Sequence, residues 1–391
     1  MSELVERVWE GRGYGARRDR KPFRYKAFVP DLIAEWDEPL AGRAAEAVAR
    51  ATASLSELQA GTVGHDLESL AGPLLRAEAL GSSFIEGLRA SNKRLALAAY
   101  EPVAADVTAR AVLGNVRAME RAIAVGTDRQ RFRVVDLLDI HRVLLEGTTE
   151  QRFAGVARTD QNWIGGRGTS PADATFIPPP PERVPQLLDD LVAFVNLEDL
   201  PAVAQAAIAH AQFETIHPFG DGNGRAGRCL VHVILRRRGI TPRLVPPVSV
   251  ILATHAKRYI TGLTDFREGR TDDWIGAFAD AVAAAATATG GLRDQVDELL
   301  ASLVGRAGSP RADSVARKII LGLPGQPIVS AGIAASRYGV TPTAARAALN
   351  RLESTQVLVP VRVGRRRDRE WISDELFQLL DEFEHDPVPA T

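Results

Sequence analysis

Apolar residues recur at helical spacing along most of the chain, from about residue 39 to residue 289. One predicted helix stops before Gly239, and glycine is typical of the position after a helix C-terminus. Pro73 is expected in the first turn of another helix, where proline is tolerated. The helix before Gly239 covers residues 223–238, and the remaining predicted helices cover residues 39–59, 91–100, 104–124, 134–146, 184–195, 202–214 and parts of 249–289.

One segment, residues 151–181, breaks this helical pattern with clustered glycines and prolines. Short β-type runs lie at residues 161–164 and 175–177, and four consecutive prolines follow at 178–181. These features predict a β-hairpin-like flap. The predicted fold class is therefore mainly α, with a β-hairpin flap.

A shorter unit follows a linker at residues 305–310. Its pattern predicts three helices, the third capped by Thr341 and Pro342, and then two β-type runs. This order resembles a winged helix-turn-helix. We predict domain boundaries at 1–110, 111–304 and 310–391.

Residues 310–372 hold 11 Lys and Arg but only 4 Asp and Glu. One interpretation is that residues 341–369 bind duplex DNA through phosphate contacts. The alternative is a module for protein interaction or dimerisation, and the fold alone does not decide between them. The candidate DNA contacts are Arg346, Arg351, Arg365, Arg366, Arg367 and Arg369.

The composition of the 391 residues is that of a folded protein, with 45% hydrophobic and 25% charged residues. The formal net charge of −1 provides no global attraction to nucleic acid or membrane. Cys229 is the single cysteine, so an internal disulfide is excluded and a zinc cluster is disfavoured.

The N-terminus shows no signal-peptide pattern. The most apolar long stretch, residues 275–289, contains Asp280 and is expected to be too short to span a bilayer. We therefore expect a cytoplasmic protein without a membrane contact. A GxGxG pattern at Gly11, Gly13 and Gly15 follows no strand pattern, so residues 1–30 are expected to form a flexible arm.

Residues 217–228, HPFGDGNGRAGR, concentrate polar groups in a turn before a predicted helix. Gly222 and Gly224 permit close approach of the backbone to a ligand. The first N–H groups of the following helix favour an anion. Arg225 and Arg228 share one helix face and suit several phosphate groups.

Two further groups of this motif complete the chemistry. Asp221 suits a hard cation such as Mg²⁺, which commonly binds with a polyphosphate. His217 suits a general base. Each residue alone has a plainer interpretation, as a structural histidine, a loop or a solvated arginine pair. Together they predict a site for a nucleoside triphosphate, a metal and a base.

This stretch resembles, at every fixed position, the signature of the Fic family, His-x-Phe-x-(Asp/Glu)-Gly-Asn-Gly-Arg-x-x-Arg. Members mostly transfer AMP from ATP to a protein hydroxyl. The resemblance implies that His217 deprotonates a Ser, Thr or Tyr hydroxyl, that Asp221 holds Mg²⁺ and that Arg228 holds the γ-phosphate. The α- and β-phosphates would be held by Gly222, Asn223, Gly224 and Arg225.

The resemblance also implies a Fic-type bundle whose flap, residues 151–181, aligns a target protein by strand addition. Tyr259 resembles a family tyrosine that lines the nucleotide pocket, and a core aromatic is an equal alternative. The usual neighbouring tyrosine is Ile260 in this chain. Buried packing is predicted for His141, His210, His232 and Cys229.

The stretch GSSFIEG, residues 81–87, has two interpretations. Ser83 and Glu86 fit an S-x-x-E capping box at a helix start. Ser82, Glu86 and Gly87 instead resemble the inhibitory (Ser/Thr)-x-x-x-Glu-(Gly/Asn) motif of the Fic family. That resemblance implies that Glu86 pairs with Arg228 and hinders productive ATP binding.

The leading hypothesis is a self-restrained protein adenylyltransferase. The alternatives are a DNA-binding regulator with a Fic sensor domain, and a Fic enzyme that transfers another phosphate-containing group. Self-modification and a homodimer are left open.

Overall fold

The computed structural model describes residues 2–11, 19–60, 67–128, 130–166, 169–362 and 369–387. The chain is mainly helical, as predicted. The helices are α1 Gly42–Ala60, α2 Leu67–Ile85, α3 Asn92–Tyr100, α4 Val107–Asp128, α5 Val134–Leu145, α6 Val184–Val195, α7 Ala202–Ile216, α8 Asn223–Arg237, α9 Val248–Thr254, α10 Ala256–Arg267, α11 Thr271–Arg306, α12 Val315–Gly322, α13 Ala331–Tyr338, α14 Pro342–Ser354 and α15 Asp374–His385. The strands are β1 Glu3–Trp9, β2 Phe23–Val29, β3 Ile328–Ser330, β4 Val359–Val361 and β5 Glu370–Ile372.

The chain divides into two compact units, each built from separate segments. The first unit comprises Met1–Ala49, Arg117–Ile240 and Lys257–Asp280. The second comprises Arg50–Val116, Thr241–Ala256 and Ala281–Thr391. The domain boundaries expected from the sequence stay a prediction.

The core of the first unit is built around α7, all of whose residues are buried. Its run of alanines and aliphatic residues is apolar on every side, as a central helix requires. The start of α11 is fixed to α7 because the Trp274 indole N–H donates to the Ala207 carbonyl at 2.8 Å. Next to α7 lies α8, buried from Asn223 to Leu235. The turn between these two helices therefore has a rigid frame.

The N-terminal region is a β-hairpin, so the expected flexible arm is wrong over its described residues. Strands β1 and β2 pair antiparallel, with Glu3 opposite Val29 and Trp9 opposite Phe23. Gly11 adopts φ +83°, whereas Gly13 and Gly15 lie outside the described residues. The Asp19 carboxylate accepts a hydrogen bond from the Ser170 hydroxyl at 2.6 Å, which fixes the hairpin to the flap.

The flap, residues 151–181, is less regular than a two-stranded hairpin. Ile164 and Phe176 form an isolated antiparallel bridge, with Ile164 N–H to Phe176 O at 2.8 Å. The Phe28 N–H of β2 donates to the Ile177 carbonyl at 2.9 Å. The predicted β-type runs are therefore paired, but their ladder is short because glycines and prolines interrupt it.

In the second unit, α2 packs closely against α9. The buried Glu78 carboxylate accepts hydrogen bonds from Ser249 N–H at 2.7 Å and Ser249 hydroxyl at 2.5 Å, which caps the start of α9. Pro73 lies inside α2, because the helix begins at Leu67. The expectation that Pro73 occupies the first turn is therefore wrong.

The stretch GSSFIEG forms the C-terminal end of α2, so a capping box at a helix start is the wrong interpretation. Leu88 N–H donates to Ser83 O at 3.0 Å, and Gly87 N–H donates to Phe84 O at 2.9 Å. These two bonds, with Gly87 at φ +80°, define a Schellman motif. Ser83 is buried and its hydroxyl accepts a hydrogen bond from the Asn115 amide at 3.1 Å.

The C-terminal part of the second unit contains α12 to α15 and a sheet with strand order β3-β5-β4, antiparallel throughout. The Thr341 hydroxyl accepts from Ala344 N–H at 3.2 Å, which confirms the predicted cap of α14. The Arg351 guanidinium donates to Ala307 O at 3.0 Å, and Arg369 pairs with Glu353. Three candidate DNA contacts, Arg365, Arg366 and Arg367, lie outside the described residues.

The apolar stretch at 275–289 belongs to α11, which has 36 residues. The expectation of a short apolar segment is therefore wrong. Among the described residues, this helix meets the length and composition needed to cross a membrane, and 56% of its most apolar window is buried. Core helices meet the same criteria, so the finding is weak evidence for a membrane span.

Candidate active site

His217 ends α7 in a left-handed conformation, with φ 48° and ψ 60°. This conformation disfavours residues with a Cβ by about 1–2 kcal/mol. Histidine nevertheless occupies this position, and 20% of its side chain is exposed. Its Nδ1 lies 3.9 Å from the Glu214 carboxylate. Backbone strain at a polar residue is typical of a functional position.

The turn after His217 is braced by Asn223. The Asn223 amide donates to the Phe219 carbonyl at 2.9 Å, and its oxygen accepts from Phe219 N–H at 2.8 Å. The Asn223 side chain is therefore occupied within the turn, and only its backbone is placed to face a ligand.

His141, predicted as a packing residue, supports the same turn from α5. Its ring stacks on Phe219 with centroids 3.6 Å apart, and its Nε2 lies 2.9 Å from the Asp221 carbonyl. Nδ1 accepts from Gly155 N–H at 3.1 Å, so Nε2 carries the proton and donates to Asp221 O. Burial lowers the pKa of His141 to about 4, so the ring is neutral near pH 7.

The N-terminus of α8 lies at the turn for which the sequence predicts an anion site, and phosphate binding there stays a prediction. Gly222 precedes the helix at φ 77°, with His141 and the side chain of Leu144 packed against it. The first backbone N–H groups of a helix lack intrahelical acceptors. Those of Asn223, Gly224 and Arg225 are therefore placed for a phosphate.

Arg225 is nearly buried, with 7% of its side chain exposed, and its Nη2 donates to the Asp221 carboxylate at 3.2 Å. Its buried Nε has no hydrogen-bond partner among the described residues. A buried donor without an acceptor is unfavourable, and a phosphate oxygen would satisfy it.

Arg228 lies one turn further along α8, and it is buried. Its Nη1 lies 3.5 Å from the Tyr259 hydroxyl oxygen, which is 2.8 Å from His210 Nε2. Tyr259 is thus a buried aromatic residue beside Arg228, and its contact with a nucleotide stays a prediction. His210 is also buried, and desolvation and then Arg228 lower its pKa to about 3. Cys229 is buried as predicted, with its sulfur 3.5 Å from that of Met119.

The predicted inhibitory residues belong to the second unit. Ser82 is buried in α2, Glu86 is exposed at the end of that helix, and Gly87 follows it. The pairing of Glu86 with Arg228 stays a prediction.

Mg²⁺ fits this site only together with a ligand. Among the described residues, no group of three or more His, Cys, Asp or Glu side chains could hold a metal ion. The Asp221 side chain is 42% exposed and offers one carboxylate oxygen beside Arg225. One or two carboxylates plus substrate phosphates are a usual environment for Mg²⁺.

Comparison with protein families identifies the class of this site. Residues 131–235 match the Fic/DOC family, and residues 45–124 match the Fic/DOC family N-terminal region. The first match contains the whole motif at 217–228. Residues 131–235 thus match a Fic domain and the residues before them match the N-terminal region of that family, which confirms the resemblance seen in the sequence.

Curated relatives share part of this chain. A protein adenylyltransferase fic-1 of Caenorhabditis briggsae is 34% identical over 143 residues, covering 36% of this chain and 26% of the relative. A protein adenylyltransferase Fic of Culex quinquefasciatus is 32% identical over 173 residues, covering 43% of this chain and 31% of the relative. The chain therefore spans about a quarter to a third of the length of these relatives.

Solved structures support the fold. A Fic family protein from Desulfovibrio desulfuricans G20 aligns with a TM-score of 0.53 at 19% identity, covering 86% of this chain and 98% of that one. A Fic-domain signaling protein from Bacteroides thetaiotaomicron aligns with a TM-score of 0.51 at 19% identity, covering 64% and 97%.

Sequence reasoning missed Arg158 and Asn162 of the flap, which bind the His217 carbonyl at 2.9 and 3.0 Å. No motif contains either residue. A buried arginine near a predicted active-site loop carries no sequence signal that distinguishes it from a surface arginine.

Proposed function

We propose that this protein is an adenylyltransferase that transfers AMP from ATP to the hydroxyl group of a Ser, Thr or Tyr side chain of a protein. The observation that carries the proposal is the turn between α7 and α8. It combines a strained histidine with a helix N-terminus and a buried arginine whose Nε has no acceptor among the described residues. The curated relatives with the name protein adenylyltransferase support the same activity.

In the proposed reaction, His217 accepts the proton of the target hydroxyl. The hydroxyl oxygen then forms a bond to the α-phosphorus, and the bond from that phosphorus to the bridging oxygen of pyrophosphate breaks. Positioning and charge neutralisation provide most of the catalysis in such transfers. When bound with ATP, Mg²⁺ at Asp221 would neutralise phosphate charge.

The phosphates would be held by backbone and side-chain donors of α8. Gly222, Asn223, Gly224 and Arg225 would hold the α- and β-phosphates, because they lie at the start of α8, which is the positive end of the helix dipole. Arg228 would reach the γ-phosphate, and Tyr259 beside it would line the nucleotide pocket. The flap at 151–181 would align an extended segment of the target.

We further propose that Glu86 restrains the enzyme by pairing with Arg228 and withholding its guanidinium from the γ-phosphate. The match of Ser82, Glu86 and Gly87 to the inhibitory motif supports this role. The exchange Glu86→Gly is expected to raise transfer strongly. Equal or lower transfer by the folded variant would refute the restraint.

Purified protein incubated with Mg²⁺ and ATP labelled in the α- or the γ-phosphate tests the main proposal. Label from the α-phosphate should appear on protein and depend on His217. Label from the γ-phosphate alone would exclude adenylylation in favour of kinase-type transfer. If neither label is transferred by the Glu86→Gly variant, another phosphate-containing donor becomes the favoured hypothesis.

Duplex DNA binding by residues 341–369, a homodimer and a cytoplasmic location also stay predictions. The basic composition of residues 310–372 supports the first. Among its candidate contacts, Arg351 and Arg369 already bind groups of the chain itself. A salt titration of binding to duplex DNA would test it, and the absence of any salt-sensitive binding would exclude it.

A further inference from the structure

Arg158 is a buried arginine at the base of the flap, with only 8% of its surface exposed. Its guanidinium donates to four main-chain carbonyl oxygens. The acceptors are His217 O from Nε at 2.9 Å, Asp160 O from Nη1 at 3.1 Å, and Pro179 O and Ile216 O from Nη2 at 2.6 and 3.3 Å. Burial lowers the pKa of Arg158 to about 10, so the side chain is still cationic near pH 7.

These acceptors belong to two different parts of the first unit. Asp160 and Pro179 lie on the two arms of the flap, whereas Ile216 and His217 lie at the C-terminal end of α7. The Arg158 backbone adds a further link, because its N–H donates to Pro218 O at 2.9 Å. A cation at a helix C-terminus also satisfies carbonyl groups that have no intrahelical donor.

Asn162 reinforces this arrangement from the first arm of the flap. Its amide nitrogen donates to His217 O at 3.0 Å and to Phe219 O at 3.1 Å. The His217 carbonyl thus accepts hydrogen bonds from two flap side chains. These bonds fix the peptide group that follows the left-handed residue, and the orientation of that group defines the backbone angle ψ of His217, which is 60°.

We propose that Arg158 and Asn162 are positioning residues, which hold His217 in its left-handed conformation and couple the flap to it. Neither side chain needs to touch the nucleotide. The inference rests on the proposed function for its effect on transfer, but its structural part is measurable separately. Displacement of the flap would be transmitted to His217 through these hydrogen bonds.

The test compares Arg158→Met, Arg158→Lys and Asn162→Ala with the wild type. Arg183→Met is the matched control, because Arg183 lies just after the flap and its side chain, among the described residues, forms an exposed ion pair with Glu3 at 2.8 Å. Three quantities are measured for each variant. They are hydrogen exchange of peptides covering residues 214–222, the Kd for ATP, and kcat for transfer of α-labelled phosphate in the Glu86→Gly background.

For Arg158→Met we expect at least about a 10-fold loss in kcat, a change in the ATP Kd below about 3-fold, and faster exchange over 214–222. Asn162→Ala should show a smaller loss of the same kind. Arg158→Lys should recover part of kcat, because lysine supplies fewer donors without the planar geometry of arginine. Arg183→Met should match the wild type.

An unchanged kcat in folded Arg158→Met or Asn162→Ala would overturn the proposal. A parallel loss in ATP affinity would overturn it in favour of a general structural role. If Arg158→Met fails to fold, Asn162→Ala decides, because it removes only one half-buried amide group. If the wild type and Glu86→Gly transfer no label, the proposed function fails, and unchanged exchange over 214–222 would then refute the positioning role independently.

Discussion

Two helix ends of this chain carry its polar motifs, and both use a left-handed residue. The end of α2 places Gly87 at φ +80°, and a Cβ added there would meet no atom of the described residues within 4 Å. The end of α7 places His217 at φ 48°. Glycine adopts this conformation without strain, whereas a residue with a Cβ does not.

The glycine at the end of α2 serves a helix end that is closed by backbone hydrogen bonds alone. The histidine at the end of α7 marks a helix end at which a side chain is required. The α2 end is closed by hydrogen bonds of a Schellman motif. The α7 end requires support from Asn223 within the turn and from His141, Arg158 and Asn162 outside it. Strain that is maintained by so many hydrogen bonds indicates a functional role for the His217 side chain.

Among the effects on ligand binding and on stability, the largest is expected for ATP binding at the α7–α8 turn. Arg225→Gln removes a buried cation whose Nε has no acceptor among the described residues, and it should weaken the Kd for ATP by about 10–100-fold. Isothermal titration calorimetry measures this Kd. Arg236→Gln, a second partly buried arginine of α8, serves as control and should change the Kd little. Equal losses in both variants would remove Arg225 from the site.

The close contact of α7 and α8 should be sensitive to a single methyl group. A Cβ at Gly227 would lie 2.7 Å from Glu214 Oε1 and 2.8 Å from the Phe213 ring. Gly227→Ala is therefore expected to lower the free energy of unfolding by about 1–3 kcal/mol, measured by urea denaturation. Gly290→Ala, in open space within α11, should instead be neutral or raise it by up to about 1 kcal/mol. Equal stability of the two variants would contradict the contact.

The support of the turn by His141 should depend on pH. The pKa of His141 is about 4 in the folded chain and 6.5 as its ordinary value, so the unfolded chain binds more protons between those values. The contribution of neutral, buried His141 to the free energy of unfolding is therefore complete above about pH 6.5. It is lost as the pH falls toward 4, and the loss is about 2 kcal/mol at pH 5.

His141→Gln removes this titration, so the variant should lose less stability than the wild type between pH 7 and pH 5. Urea denaturation at both pH values measures the difference. His210, also with a lowered pKa, acts in the same direction in both proteins. Parallel losses in wild type and variant would show that His141 does not contribute.

The smallest effect is expected at the α2 end. Gly87→Ala should lower the free energy of unfolding by about 1 kcal/mol through backbone strain alone, and Gly87→Asn by less. Thermal denaturation compares the two variants. A loss well above this value would mean that Gly87 also makes a close contact, and the contrast with His217 would weaken.

Features that depend on neighbouring residues were predictable from the sequence. Helix α6 begins and ends at the predicted residues because its apolar periodicity is strong, and α8 follows a glycine-rich turn that defines its start. The motif at 217–228 was predictable because its residues are adjacent in sequence and share one turn.

Other features depend on contacts between distant residues. The S-x-x-E pattern at 83–86 fits a helix start when only neighbouring residues are considered. In the folded chain, tertiary packing stabilises α2 from Leu67 to Ile85, so the same pattern lies at a helix end. The folded chain sets the pairing of β1 with β2. It also brings Arg158 to two of its acceptors, Ile216 O and His217 O, which lie 58 and 59 residues away in sequence. No local pattern contains that information.

The pair His217→Gly and His217→Ala, measured for stability and for transfer of α-labelled phosphate in the Glu86→Gly background, tests the central claim most directly. Both variants should lose transfer by about 10²–10⁴-fold, the contribution of a general base. The glycine variant should nevertheless be more stable than the alanine variant by about 1 kcal/mol, because only alanine retains the left-handed strain. Equal stability of the two variants, or transfer at the parent rate by either one, would contradict the claim that the chain maintains a strained histidine for its chemistry.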